Sequence, residues 1–287
     1  FLFCFLKVLI AIEPNVPLKY YDVTKKVWLE YGQDIPIKEK CYSVVSSGNF
    51  VFIGSRKKVY RYSIDNNSWD NLSPMLSSES LLRGWYQLFV LGEYLYAFGN
   101  GIGERYSFAE KTWQECAKVG NSRWAWAVLD GCIYAVGNSL TMMFDESKNM
   151  WIRKSPNLRN RVSCYAFSCK RKFVIAGGSV QRQKEVTQYG YTTTQTINDK
   201  ISTVEAYCKE NNHWSEVTQK HPLPSPFSGV VVDNTVFIKL NNFVFDSGIK
   251  VSPEVLYSPN LNKWTNVTAL GGTALITYAP LNTNKLL

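Results

Sequence analysis

An aromatic or apolar strand, a polar turn and a tryptophan recur along the whole chain, and a sequence written this way is committed to repeating one small supersecondary unit. The copies are YYDVTKKVW ending at Trp28, VYRYSIDNNSW at Trp69, GERYSFAEKTW at Trp113, TMMFDESKNMW at Trp151, VEAYCKENNHW at Trp214 and PEVLYSPNLNKW at Trp264. Successive tryptophans are 41, 44, 38, 63 and 50 residues apart, so only the fifth repeat is badly stretched. A second unit precedes most of them, an alternating strand ending in glycine or its substitute: FVFIGS (50–55), YLYAFGNG (94–101), CIYAVGN (132–138), KFVIAGG (172–178) and VFIKLNN (236–242).

A period of about 40–50 residues with several short strands is that of a four-stranded propeller blade. A blade is a small twisted sheet whose two faces are both covered by neighbours, which explains strands dense in Val, Ile, Tyr and Phe and a Trp to fill each wedge. Stretches such as Asp65-Asn66-Asn67-Ser68 have the Asn, Asp and Ser chemistry of rim turns. Helical periodicity is almost absent. With 45% hydrophobic residues in 287, the chain can bury a core of this size as one unit.

The expected architecture is therefore all-β, a six-bladed propeller with four antiparallel strands per blade, forming a single domain over 1–287. Its blades are 1–37 plus 272–287, 38–76, 77–119, 120–157, 158–222 and 223–271. The terminal pieces are complementary: KVLIAI at the start and GGTALITYAP at the end are each an incomplete blade. Pairing the last strand beside Lys7–Ile12 closes the ring and leaves no open edge.

The residues that carry chemistry are sparse. The two histidines, His213 and His221, stand in no metal-ligand spacing, and no GxSxG, P-loop or strand-borne GxGxxG occurs. Asp130, Asp145, Glu146 and Asp233 fall at expected turns, where carboxylates are ordinarily solvated. These observations predict a protein without catalytic residues, metal or cofactor. Seven cysteines, an odd number without a CxxC pair, suit free thiols in the cytoplasm or nucleus. The apolar opening FLFCFLKVLIAI is too short and too interrupted for a membrane span. The start at Phe1, without an initiator methionine, predicts a piece of a longer chain. Basic residues outnumber acidic ones by 32 to 23, a charge of +9, which favours an acidic partner. Nucleic acid is disfavoured, because stacking aromatics would have to be exposed instead of packed between blades.

The repeats resemble the kelch family: a hydrophobic strand, a Gly-Gly doublet, then a Tyr about six residues before a Trp. The doublet is intact only at Gly177-Gly178; Gly54-Ser55, Gly99-Asn100 and Gly137-Asn138 keep one glycine and Asn241-Asn242 none. Asn accepts positive φ better than most residues, so the turn survives the exchange. The resemblance implies a protein-interaction surface built from the loops after the doublet and those approaching the innermost strand. The first set holds Arg56, Lys57, Asn100, Asn138, Ser139, Ser179 and Arg182. The second holds Arg83, Arg123, Arg161, Ser163, Tyr165 and Phe227, together with Trp85 and Trp124. Arg56, Arg83, Arg123 and Arg161 come from four successive blades, and converging guanidinium groups suit the carboxylates of an acidic peptide. The stretched repeat adds QRQKEVTQYGYTTTQTINDK (181–200), whose polar composition predicts a mobile loop with Tyr189 and Tyr191 as contact residues. By the same resemblance, such propellers form the substrate-recognition part of BTB-BACK-kelch adaptors of cullin-RING ubiquitin ligases, the ligase being reached only through a BTB domain absent from these residues. The alternative is a cytoskeletal, actin-associated module.

Overall fold

The computed structural model describes residues 5–12, 17–22, 27–38, 41, 43–56, 58–77, 86–120, 124–188, 191–201 and 203–217, with side chains for most of them. After 217 it describes the backbone of the strands alone. Among the described residues every regular element is a strand, as the β-branched and aromatic content dictates.

Strands β1 (Phe5–Ile12), β2 (Pro17–Asp22) and β3 (Val27–Asp34) form a sheet with the last strand, β29 (Leu275–Asn282), in the order β29-β1-β2-β3. The pairing of β1 with β29 is antiparallel and runs unbroken from Phe5 opposite Asn282 to Ile12 opposite Leu275. Next come three four-stranded antiparallel meanders: β4 (Ser43–Ser47) to β5 (Phe50–Gly54), β6 (Val59–Ser63) and β7 (Ser68–Asn71); β8 (Gln87–Leu91) to β9 (Tyr94–Gly99), β10 (Ile102–Ser107) and β11 (Thr112–Glu115); and β12 (Ala125–Leu129) to β13 (Cys132–Gly137), β14 (Leu140–Asp145) and β15 (Met150–Lys154). After β16 (Arg161–Val162), strands β17 (Tyr165–Cys169) and β18 (Lys172–Ala176) pair on with β21 (Val204–Cys208) and β22 (His213–Val217). The intervening β19 (Ser179–Gln188) and β20 (Tyr191–Lys200) leave that sheet and join β16. The last sheet is β23 (Pro226–Val232), β24 (Thr235–Leu240), β27 (Glu254–Ser258) and β28 (Lys263–Val267), with the short pair β25 (Phe243–Val244) and β26 (Lys250–Val251) between β24 and β27. Each of the six tryptophan repeats thus supplies the third and fourth strands of its own sheet.

The chain packs as two compact units, 1–121 with 228–287 and 122–227. In the first unit, Ile10, Ile12, Leu18 and Tyr20 pack with Val51, Ile53, Tyr60 and Tyr62, and Phe52 and Val59 pack with Leu88, Leu95, Tyr106 and Trp113. In the second, Tyr134 and Val136 pack with Phe173, Ile175, Tyr207 and Trp214. Leu95, Tyr96, Ala97 and Phe98 are all fully buried, so β9 is covered on both faces.

The turn before the tryptophan keeps one geometry in four repeats. Asn67, Lys111, Asn149 and Asn212, each two residues before its Trp, all have positive φ, between 47° and 58°. In two of the repeats where this residue is Asn, its side chain is also fastened: the Tyr62 hydroxyl donates to Asn67 Oδ1 at 2.6 Å, and that of Tyr207 to Asn212 Oδ1 at 2.8 Å. This is the left-handed position at which Asn is the favoured non-glycine residue.

Candidate functional site

In the second unit the repeat's chemistry gathers at one end of the β17–β22 sheet, around the neck of the β19–β20 hairpin. The chain leaves β18 through Gly177 and Gly178, both at positive φ. A Cβ on Gly178 would lie 2.6 Å from Val162 O and 3.0 Å from Cys164 N, so no other residue fits between the hairpin and the segment approaching β17. At its foot β19 pairs with β16, Ser179 opposite Val162 and Val180 opposite Arg161.

The segment 181–200 differs from the expected mobile loop. Strands β19 and β20 pair in one continuous register from Ser179 opposite Lys200 to Gln188 opposite Tyr191. The physical reason is that Thr, Tyr, Val and Ile favour the pleated strand, and a ladder satisfies the backbone even where the side chains bury little. Gln181 to Glu185 and Tyr191 to Thr196 are all exposed.

Arg161 requires a correction. Instead of facing a partner, it is fully buried, and both terminal nitrogens of its guanidinium are engaged inside the fold. Nη1 donates to Gly177 O at 2.9 Å and Thr203 O at 3.0 Å, while Nη2 donates to Thr203 Oγ1 at 3.1 Å and makes a short ion pair with the equally buried Glu205. Gly177 is where the chain departs into the hairpin and Thr203 is where it returns. Arg161 therefore clamps both ends of the neck, and the buried carboxylate balances its charge.

Of the other expected contact residues, Asn138 and Ser139 form the two-residue turn between β13 and β14, at φ 51° and 58°. The Asn138 N–H donates to Arg161 O at 3.4 Å, which joins this turn to the neck. Ser163, exposed at φ 55°, follows directly. Asn138, Ser139, Ser163 and Ser179 thus gather about Arg161 on one end of the second unit. Arg182 lies farther up the hairpin in an exposed ion pair with Asp199 at 2.5 Å, and Tyr191 stands at its tip, 78% exposed. In the first unit, Arg56 is exposed on the loop after β5, and Asn100 is half-buried in the two-residue turn after β9. Phe227 belongs to strand β23 and not to a loop. Lys57, Arg83, Arg123 and Tyr189 lie outside the described residues, as does the side chain of Phe227. Trp124 and Trp126 pack on one another, and Trp126 on Trp151, with ring centroids 6.3 and 5.8 Å apart.

Two residues that the repeat pattern does not announce hold the repeats together. Glu205 and Glu104 each stand nine positions before their Trp, in the third strand of their sheet, and both are buried. Glu205 accepts from Leu158 N at 2.8 Å; Glu104 accepts from Leu76 N at 2.8 Å and Ser77 N at 2.7 Å. The tryptophans grip the same segments three residues earlier: Trp214 Nε1 donates to Ser155 O at 3.0 Å and Trp113 Nε1 to Ser73 O at 2.8 Å. The segments read Ser155-Pro156-Asn157-Leu158 and Ser73-Pro74-Met75-Leu76. A Ser-Pro-x-Leu strap between sheets, paired with a Glu and a Trp nine apart, was a readable signal.

The carboxylates at the opposite turns are partnered or solvated. Asp130 is held below the usual carboxylate range by the Lys209 ammonium bonded to it, and Asp145 by the Ser147 hydroxyl and Lys148 N–H of its own turn. Among the described residues no group of His, Cys, Asp and Glu is arranged to hold a metal ion, and the six described cysteines are free.

No family model matches the chain. Among solved structures it resembles that of YjhT, with a TM-score of 0.61 over 90% of this chain and 96% of that one, at 12% sequence identity. At that identity the likeness is one of fold. It joins an all-β chain of four-stranded antiparallel sheets to a kelch-type β-propeller.

Proposed function

We propose that the chain is a non-catalytic protein-interaction propeller of six blades closed by the β1–β29 pair, and that it selects the substrate of a BTB-kelch adaptor for a cullin-RING ubiquitin ligase in the cytoplasm. The observation that carries this reading is the second unit's loop end, where segments from two sheets meet at a clamped neck and leave Asn138 and Ser163 exposed. Rigid loops that present polar groups on a sheet scaffold are how such folds bind other proteins. The surplus of basic residues favours an acidic segment as the ligand, with Arg56, Arg83 and Arg123 as its carboxylate partners. Arg161 has no part in that contact.

The test is affinity purification from cells, with partners identified by mass spectrometry, of the wild-type chain and of a variant carrying Arg56→Ala, Arg83→Ala and Arg123→Ala. Loss of partners that contain acidic segments, with thermal stability unchanged, is the expected result. Identical partners for both proteins would overturn the assignment of these arginines.

A further inference from the structure

Outer strands of sheets carry unpaired N–H and C=O groups and need protection against pairing with other chains. The outer strands β7, β11, β15 and β22 are four or five residues long, and each carries a charge: Asp70, Glu115, Arg153 with Lys154, and Glu216. Strand β20 keeps its charges, Asp199 and Lys200, at its foot beside the neck. It is the last strand of its sheet, runs for ten residues, and from Tyr191 to Asn198 has no charge, proline or glycine. Its register with β19 contains no bulge.

Which groups are free follows from the ladder. Ile201 N donates to Gly178 O at 2.9 Å, just below the first hairpin pair. Because inward and outward groups alternate along an antiparallel strand, the odd-numbered residues of β20 face β19. Thr192, Thr194, Thr196 and Asn198 therefore turn their N–H and C=O groups outward. Arg161 holds the neck, so this edge is presented already ordered, and ordering it costs little on association.

We propose that this edge binds a second copy of itself, two β20 strands pairing antiparallel about a two-fold axis at Gln195. The strand is self-complementary in that register. Thr192 of one copy exchanges backbone bonds with Asn198 of the other, and Thr194 with Thr196, each pair occurring twice by symmetry. Thr193 stands across from Ile197, and Tyr191 from Asp199. No like charges face one another, and β-branched cross-strand pairs are favourable. Equivalent surfaces meeting on a two-fold axis make a closed dimer and not a fibre. The contact is small beside a standard interface, so the dimer is a weak one that forms as concentration rises. This association goes beyond partner selection and does not depend on it.

Sedimentation velocity over a range of protein concentrations tests the proposal. The wild-type chain should shift from monomer towards twice its mass as concentration rises. T194K/T196K puts lysine opposite lysine across the axis and should remain monomeric; within the hairpin, position 194 lies opposite Glu185, so the first of these lysines meets a carboxylate and the fold is not strained. T194K/T196E puts the lysine of one copy opposite the glutamate of the other and should restore the dimer. Thr194→Pro removes an outward N–H, spares the bonds to β19, and should also give a monomer. A wild-type chain that is monomeric throughout would overturn the proposal, as would dimerisation unaffected by T194K/T196K, which would place the contact elsewhere or on another segment.

Discussion

Replacing Arg161 by alanine is expected to destabilise the second unit by about 3–5 kcal/mol, because it leaves the buried Glu205 without its main counter-charge. Leu158 N–H still donates to that carboxylate, and Arg159 lies 3.4 Å away, so the loss is large without being total. The carbonyls of Gly177 and Thr203 lose their donors in the same step. For a unit of this size the melting temperature should fall by roughly 15–20 °C. Calorimetry of Arg161→Ala, Glu205→Leu and the double variant separates the ion pair from the clamp. The double variant should be markedly less damaged than the sum of the singles, since it removes both buried charges together. A single variant that melts like wild type would mean that Arg161 is solvated after all, and would return it to the proposed binding surface.

Trp214→Ala is expected to cost a similar amount, about 3–5 kcal/mol, for a different reason. The indole is 1% exposed and packs among Tyr134, Phe173 and Tyr207, residues from two sheets of the second unit. Its truncation opens a cavity between those sheets. It also strands Ser155 O, and the Thr141 hydroxyl loses the indole N–H 3.1 Å away. Trp214→Phe keeps most of the volume and should cost only about 1–3 kcal/mol, the share of the buried hydrogen bonds. Denaturant midpoints for the two variants check the order. Equal losses for Phe and Ala would assign the whole effect to the strap at Ser155 and none to packing.

These two residues also show how far the sequence could be read. Trp214 was legible because its role is periodic. A Trp recurring after a polar turn has to be a packing residue, and the strands around it follow from the alternation of Val, Ile and Tyr. The Asn residues replacing glycine were legible too, since Asn100 and Asn138 occupy the positive-φ positions that the doublet requires. Arg161 was misread because composition and loop placement say nothing about burial. Its counter-charge, Glu205, lies 44 positions away, and only the fold brings the two together. The hairpin was misread for a related reason: a polar, Thr- and Gln-rich stretch looks unable to pack, yet strands can satisfy their backbone without a core. The Ser-Pro-x-Leu strap was present at Ser73 and Ser155, but its meaning depends on a Glu and a Trp more than 25 residues away.

Backbone amide hydrogen exchange across 179–200, read residue by residue by NMR on dilute protein, is the most direct test of an ordered hairpin held at its neck on a scaffold of antiparallel sheets. Alternating protection is expected, with the amides of Thr193, Gln195 and Ile197 slow and those of Thr192, Thr194, Thr196 and Asn198 fast, and with the slow set lost in Arg161→Ala. Uniformly fast exchange in the wild-type chain would contradict the account, leaving the segment a mobile loop and Arg161 without a neck to clamp.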